Sequence, residues 1–323
     1  MRPVRGRVGL RVRVRCLRCR PRPDLRTISY DSASEKTDRM KKSAILLLSC
    51  PDRKGVVARV AGFIFEHGGN ILHADEHGDH DSNTFLMRVE FDPSGLSDSL
   101  GAFSLGFAPI ARELDLHWRL ALSDARPRMA IFVSKYDHCL VDLLYRHQSG
   151  ELACEIPCIV SNHQDSQRIA DFYHIPFFLV PVEKDHKAAA EQQMLAMLER
   201  HQVDFIVLAR YMQILSDQFV KAYPQKIINI HHSFLPAFVG ARPYHQAFLR
   251  GVKIIGATSH YVTNVLDDGP IIEQDVVRVS HRESIEGLIQ KGRDLEKIVL
   301  SRAVRWHIEN RVLVYGNKTV VFE

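Results

Sequence analysis

No stretch of the 323 residues reaches the roughly 18 consecutive apolar residues that a spanning helix requires, which argues against helical insertion in a membrane. Acid is missing from one place in particular: residues 1–23 hold nine arginines and neither Asp nor Glu. The formal charge of +5 is therefore misleading, because without those arginines the rest of the chain carries −4, and a nucleic-acid binder is not expected. Cysteine is scarce and scattered, at Cys16, Cys19, Cys50, Cys139, Cys154 and Cys158. A lone Cys16-Leu17-Arg18-Cys19 has no second pair at metal-site spacing, and the adjacent His231 and His232 lack a spaced third ligand, so no metal is expected. Without a secretory apolar segment, the simplest account is free thiols in a reducing compartment, the cytoplasm.

What is present divides the chain in four. Residues 1–42 are rich in arginine, then serine, and cannot bury a core; a disordered leader is expected, either inert or, as an organellar transit peptide, the one hint of another location. From Ser43 the pattern becomes regular. Ala44 to Leu48 reads as a strand, Val56, Val57, Val60, Phe63 and Ile64 recur at helical spacing, and Gly68-Gly69-Asn70 ends that helix. Ile71 to His77 and Thr84 to Phe91 read as two strands around a polar hairpin, Leu96 to Leu114 as a helix and Leu116 to Leu122 as a last strand. The order βαββαβ over residues 43–122 is the ferredoxin-like unit.

Residues 123–128, polar and with Pro127, form the expected linker. Over residues 129–323 strand and helix patterns alternate, from Met129 to Val133 through to Ile227 to Ile230, which predicts an α/β fold with a doubly wound, mostly parallel sheet. Arg282 to Asn310 reads as one or two helices, and Arg311 to Tyr315 with Thr319 to Phe322 as a closing hairpin.

The chemistry concentrates at Ile227 to Pro236, Ile-Ile-Asn-Ile-His-His-Ser-Phe-Leu-Pro. In a short strand here Asn229 and His231 project together, with His232 opposite, just where the strand meets a loop. An amide beside an imidazole suits attack on a carbonyl: the amide binds a developing oxyanion and the ring moves a proton. Asp267, in the turn Asn264 to Pro270, is the candidate to keep the imidazole charged and to orient a water. The same three residues would equally serve as loop and turn formers.

Three blocks in register decide between these readings. Asn229 to Pro236, Gly256-Ala257-Thr258-Ser259-His260-Tyr261-Val262 and Leu266-Asp267-Asp268-Gly269-Pro270-Ile271-Ile272-Glu273-Gln274 resemble the signature of the folate-dependent formyltransferase family. Leu208 to Ser216 resembles that family's folate-binding segment. The resemblance implies that Asn229, His231 and Asp267 are catalytic and that the pterin lies against Met212, Gln213, Ile214 and Leu215, held mainly by backbone groups. It leaves Arg210, Lys253 and Arg242 as candidates to hold the acidic glutamyl tail. His260 is grouped with the substrate-binding residues, against the plainer reading of a buried structural histidine.

The loop after the first strand of this domain separates the possible reactions. Relatives that formylate a sugar-phosphate amine carry a Gly-Asn-Gly-Ser-Asn type loop there, whose bare N–H groups cradle a phosphate. Here it reads Ser134-Lys135-Tyr136-Asp137-His138-Cys139-Leu140, with no glycine and an acid that would repel an anion, although Lys135 offers some charge. The expected reaction is therefore water adding to the formyl carbon of 10-formyltetrahydrofolate, to give formate and tetrahydrofolate. Similarity to the hydrolytic members of the family implies a role in formate supply for purine synthesis and no permanently bound cofactor. A transferase using another amine acceptor, and a catalytically silent sensor, are the alternatives.

Asp52 and Gly55 in the first turn, and Gly69-Asn70-Ile71 before the second strand, make residues 43–122 resemble an ACT domain. That resemblance implies a homo-oligomer formed through the domain, with an amino-acid effector such as glycine or methionine held by Asp52, Gly55, Asn70 and Ile71. A purely structural pairing module is the equal alternative.

Overall fold

Strand β1 (Ala44–Pro51) is apolar on both faces and is buried on both. One face, Ala44, Leu46 and Leu48, packs under helices α1 (Val56–Glu66) and α2 (Leu100–Glu113), through Val60, Phe63, Phe103 and Phe107. The chain is seen here as a computed structural model that describes residues 42–97, 99–237 and 243–323. The Arg-rich leader with Cys16 and Cys19, and Arg242, lie outside the described residues. β1 sits between β3 (Thr84–Asp92) and β4 (His117–Leu122), and β2 (Asn70–Asp79) forms an edge, so the antiparallel order is β2-β3-β1-β4. This is the ferredoxin-like topology expected for an ACT unit.

The other face of this sheet, Ile45, Leu47 and Leu86, would be a bare apolar patch without cover. It is covered by the C-terminal hairpin, β12 (Val312–Tyr315) and β13 (Lys318–Val321), with Phe322 inserted against it. Arg88, buried, donates from Nε to Asn310 O at 3.1 Å and pairs with Glu90 at 2.9 Å. The first and last segments of the described chain are thereby joined.

The second sheet has seven strands in the order β11-β10-β9-β8-β5-β6-β7. β5 (Arg128–Val133) lies in the middle, and β6 (Glu155–Ser161) and β7 (Phe177–Leu179) extend the sheet to one side. β8 (Phe205–Leu208) and β9 (Ile227–His231) extend it to the other, all in parallel. The direction of winding reverses between β5 and β8, and open α/β sheets bind ligands at the carboxyl ends of strands beside such a reversal. Helices α3 (His138–Gln148), α4 (Gln167–Phe172), α5 (Lys187–Arg200) and α6 (Asp217–Ala222) make the crossovers, and α7 (Pro243–Arg250) follows β9. β10 (Ile254–Tyr261) and β11 (Ile271–Arg278) add two antiparallel strands at the far edge.

β11 is absent from the strands read off the sequence. Its residues Ile-Ile-Glu-Gln-Asp-Val-Val-Arg pair apolar with apolar and polar with polar, so no period of two signals a strand. Residues 282–310 resolve into one helix, α8 (Ile285–Ile308), 24 residues long and capped by Ser284, whose Oγ accepts from Gly287 N. Among the described residues no helix is long and apolar enough to cross a membrane.

Candidate active site

Parallel pairing of β9 against β8 brings the end of one strand, Asn229 to His231, beside the loop leaving the other, Arg210 to Leu215. Antiparallel pairing with β10 sets His260 directly opposite Asn229. These strand ends and the turn 262–267 enclose a pocket of about 310 Å³ lined by Arg210, Met212, Gln213, Ile214 and Leu215, and by Asn229, His231, His260 and Asp267. The residues singled out for catalysis and for folate binding thus share one cavity.

Inside it, His231 is buried, and its Nδ1 lies 3.2 Å from Asp267 Oδ1. With Nδ1 donating to the carboxylate, Nε2 is left buried with no protein partner among the described residues, as the ring atom available to a reacting group. The bond from His231 holds the Asp267 carboxyl below its ordinary range in spite of partial burial. Asp267 stands in the left-handed region, φ 55°, and the turn is fixed by Gly269, where a Cβ would fall 1.7 Å from the carbonyl oxygen of Tyr261.

His260 sets the orientation of Asn229. Its Nδ1 lies 2.9 Å from the Tyr261 carbonyl oxygen, which only accepts, so Nδ1 carries the proton. Burial pushes this ring below the usual histidine range, so it is neutral at pH 7 and Nε2 is an acceptor. Asn229 Nδ2, 3.1 Å away, donates to it and keeps a second N–H for the pocket. The Asp267 carboxylate is 3.9 Å from His260 Nε2, a flanking charge rather than a bond.

His232 differs from the alternation expected of it. β9 ends at His231, so the strand rule stops there, and the His232 ring lies 5.2 Å from that of His231 and lines the same pocket. Burial first, then the Arg210 charge, pushes it down to about 3, so it is a neutral wall residue.

The loop after β5 is filled by a buried charge network. His138 Nε2 donates to Glu296 Oε2 at 2.8 Å, Tyr244 Oη donates to Glu296 Oε1 at 2.6 Å, and Arg210 Nε lies 3.4 Å from Oε2. Burial alone would raise the Glu296 carboxyl, but these partners hold it below its ordinary range. Tyr136 stacks 5.5 Å from Arg210 and 5.2 Å from Arg293. Arg210, at φ 64° and buried, already has a carboxylate partner, which weakens its candidacy for a glutamyl tail. Lys253 does not line the pocket. His138, Cys139 and Glu296 also offer metal-ligand atoms within 4.8 Å of one another, but the Arg210 cation beside Glu296 opposes a second positive charge.

Glu296 and Tyr244 escaped the sequence reading, although one signal was there. Glu296 follows Leu295 and precedes Val299 and Leu300 on the apolar face of α8, and an acid on such a face requires buried partners. Gly292, one turn earlier, leaves room for Tyr244, whose hydroxyl would be 2.1 Å from a Cβ there. Thr258 and Gln274, inside the matched blocks, pin the loop after β9: Leu235 N donates to Thr258 Oγ1, which donates to Ser233 O, and Gln274 Nε2 donates to both Leu235 O and Thr258 Oγ1. Ser134 ties the folate segment to β5, accepting from Met212 N at 2.9 Å.

The effector candidates do not converge within one copy. Asp52 and Gly55 follow the end of β1, where Pro51 faces Thr84, whereas Asn70 and Ile71 begin β2, where Asn70 faces Asp92. The register puts the two pairs at opposite ends of the sheet, roughly 25 Å apart along the strands.

Comparison with known proteins gives the same two parts in the same order. The ACT domain profile matches residues 44–103, and the profile described as Formyl transferase matches residues 127–304. A formyltetrahydrofolate deformylase of Synechocystis sp. is 55% identical over 280 residues, 87% of this chain and 98% of its own length. One from Bacillus subtilis is 50% identical over 278 residues, 86% of this chain and 93% of its own. The crystal structure of a formyltetrahydrofolate deformylase from Pseudomonas syringae pv. tomato superposes with a TM-score of 0.87 at 50% identity, covering 89% of this chain and 96% of that one. A phosphoribosylglycinamide formyltransferase from Anaplasma phagocytophilum is similar over less, 62% of this chain, with a TM-score of 0.57 at 31% identity.

Proposed function

The chain belongs to the formyltetrahydrofolate deformylase family, and from that premise we propose how its own residues perform the reaction. It is a hydrolase that converts 10-formyltetrahydrofolate to formate and tetrahydrofolate, with no permanently bound cofactor. The observation that carries the mechanism is the convergence of Asn229, His231 and Asp267 in the pocket that the Arg210 to Leu215 segment also lines.

The pterin rests against Met212 to Leu215, with Met212 and Ile214 side chains exposed as an apolar shelf. The formyl carbonyl then points its oxygen at Asn229 Nδ2 and His231 Nε2. As water adds, the charge growing on that oxygen meets two donors already aimed and held, Asn229 by His260 and His231 by Asp267. Asp267 also holds the attacking water. Collapse of the tetrahedral intermediate breaks the C–N bond and needs a proton on the departing folate nitrogen, which the His231 imidazolium supplies directly or through a water, while the proton shed by the attacking water passes through Asp267 to restore the ring.

Hydrolysis rather than transfer is favoured by the loop after β5. Residues 134–139 hold no glycine, and their side chains are engaged within the loop: His138 is tied to Glu296, and the Tyr136 ring packs near the Arg210 and Arg293 guanidinium groups. Incubating the pure protein with 10-formyltetrahydrofolate and no amine tests this reading. Formate should appear at once, and formate released only after an amine is added would overturn it.

Two regulatory features belong to the same proposal. Copies of the chain pair through the exposed edge strand β2, and an amino acid such as glycine or methionine binds where Asp52 and Gly55 of one copy meet Asn70 and Ile71 of another. The separation of these pairs within one copy, together with the edge position of β2, supports an effector site shared between copies. The cytoplasm is the proposed location.

A further inference from the structure

Adjacent residues of β10 face different cavities. His260 faces the folate pocket, while Tyr261 faces a cavity of about 630 Å³ between the ACT sheet and the formyltransferase sheet. Its apolar wall includes Leu47, Trp118, Phe205 and Leu313. Three cations also line it, Arg119, Arg126 and Lys226, against one carboxylate, Asp204, which already accepts from Arg128 N at 2.8 Å. Neither Arg126 nor Lys226 has a carboxylate partner among the described residues, and the Arg119 guanidinium is bonded to the neutral Asn310 amide.

We propose that this cavity is a second ligand site, for a small organic anion with an apolar body, and that its occupant acts on the catalytic strand through Tyr261. An apolar pocket with uncompensated cations at one side selects such a molecule: the body replaces water on the apolar wall and the charge meets the cations. The His307 ring, which lines the cavity, registers their field. Burial, then Arg119 and Lys226, pushes it down to about 3, so that ring is neutral and the positive potential remains unanswered.

The route to the active site is short. Tyr261 Oη is 2.8 Å from His307 Nδ1 inside the cavity. The Tyr261 carbonyl accepts from His260 Nδ1 at 2.9 Å, and its N–H donates to Pro270 O at 2.9 Å. His260 orients Asn229, and Gly269 seats the Asp267 turn on the same carbonyl. A ligand that shifts Tyr261 therefore reaches both polar arms of the folate pocket. The site lies on the face of the ACT sheet opposite α1 and α2, and none of Asp52, Gly55, Asn70 and Ile71 lines it.

Matched fluorescent probes test the proposal on the full chain, with tetrahydrofolate present to fill the folate pocket. 8-Anilinonaphthalene-1-sulfonate carries the anion, and N-phenyl-1-naphthylamine is the same body without it. The sulfonate should saturate at one site per chain. Lys226→Ala and Arg126→Ala should each weaken it about tenfold while leaving the neutral probe, the melting temperature and basal formate release unchanged. Equal sulfonate affinity in wild type and both variants, or no saturable binding up to about 1 mM, would overturn the anion site. The binding half stands apart from the hydrolase mechanism; the coupling half rests on it. With substrate saturating and no tetrahydrofolate added, the sulfonate should change formate release by about fivefold in wild type and not in Lys226→Ala at the same concentration. Saturable binding with an unchanged rate would refute the coupling through Tyr261.

Discussion

Replacing Asp267 with Asn removes one charge and almost no volume, so its effect isolates electrostatics. At the 3.2 Å between His231 Nδ1 and Asp267 Oδ1, a unit charge pair interacts by about 5 kcal/mol at an effective dielectric of ~20. The mouth of the pocket is open to solvent, which screens part of this. At about 1.4 kcal/mol per decade the remaining effect corresponds to a fall in kcat of about a thousandfold. KM should move much less, because the proposed pterin shelf is Met212 to Leu215 and does not include the carboxylate. The assay is formate release at saturating 10-formyltetrahydrofolate, with circular dichroism to show the fold intact. The pH profile supplies a second reading. The bond from His231 holds the Asp267 carboxyl below its ordinary value, so wild-type turnover persists as pH falls and is lost only as the carboxylate protonates, below the usual aspartate range. The Asn variant has no such acid limb to lose. An Asp267→Asn enzyme that keeps more than about a tenth of the wild-type kcat would show that the carboxylate is not coupled to the reacting centre.

Asn229→Ala deletes one of the two proposed oxyanion donors and should lower kcat by about 10²–10³-fold with the melting temperature preserved; an unchanged kcat would remove Asn229 from the mechanism. Glu296→Ala leaves His138, Arg210 and Tyr244 buried without their shared partner, which should cost about 3–5 kcal/mol and lower the melting temperature by about 10 °C. Glu296→Gln, which keeps an acceptor for Tyr244, should fall between it and wild type. His232 and His307 are both pushed down to about 3 with burial as the leading cause, whereas the unfolded chain protonates them near pH 6.5. Below pH 6.5 the unfolded state therefore binds more protons, and stability should fall by about 1.4 kcal/mol per pH unit for each ring. A melting temperature that stays flat from pH 6.5 to 5 would contradict this, and His307→Gln should flatten the slope.

The sequence by itself determined most of the order of elements and singled out the residues proposed to react. Period-two and helical apolar spacing are local, so β1, α1 and the alternating strands and helices up to β9 were legible, and so were Asn229, His231 and Asp267 from three blocks in register. β11 was not legible, because its position is decided by pairing with β10 and not by its own pattern. Nor was the direction of His232, which depends on where β9 happens to end. The tautomer of His260 follows from a local contact, the carbonyl of the next residue, but only the tertiary structure buried the ring so that it is neutral and set Asn229 Nδ2 against its Nε2. The fate of Arg210 was likewise set from afar, by Glu296, 86 residues further along the chain. Nothing short-range in the sequence encodes the cover that the C-terminal hairpin gives the ACT sheet, or the cationic cavity that this leaves beside Tyr261. Both arise from the need of an apolar sheet face to be buried, and that need does not specify which distant segment answers it.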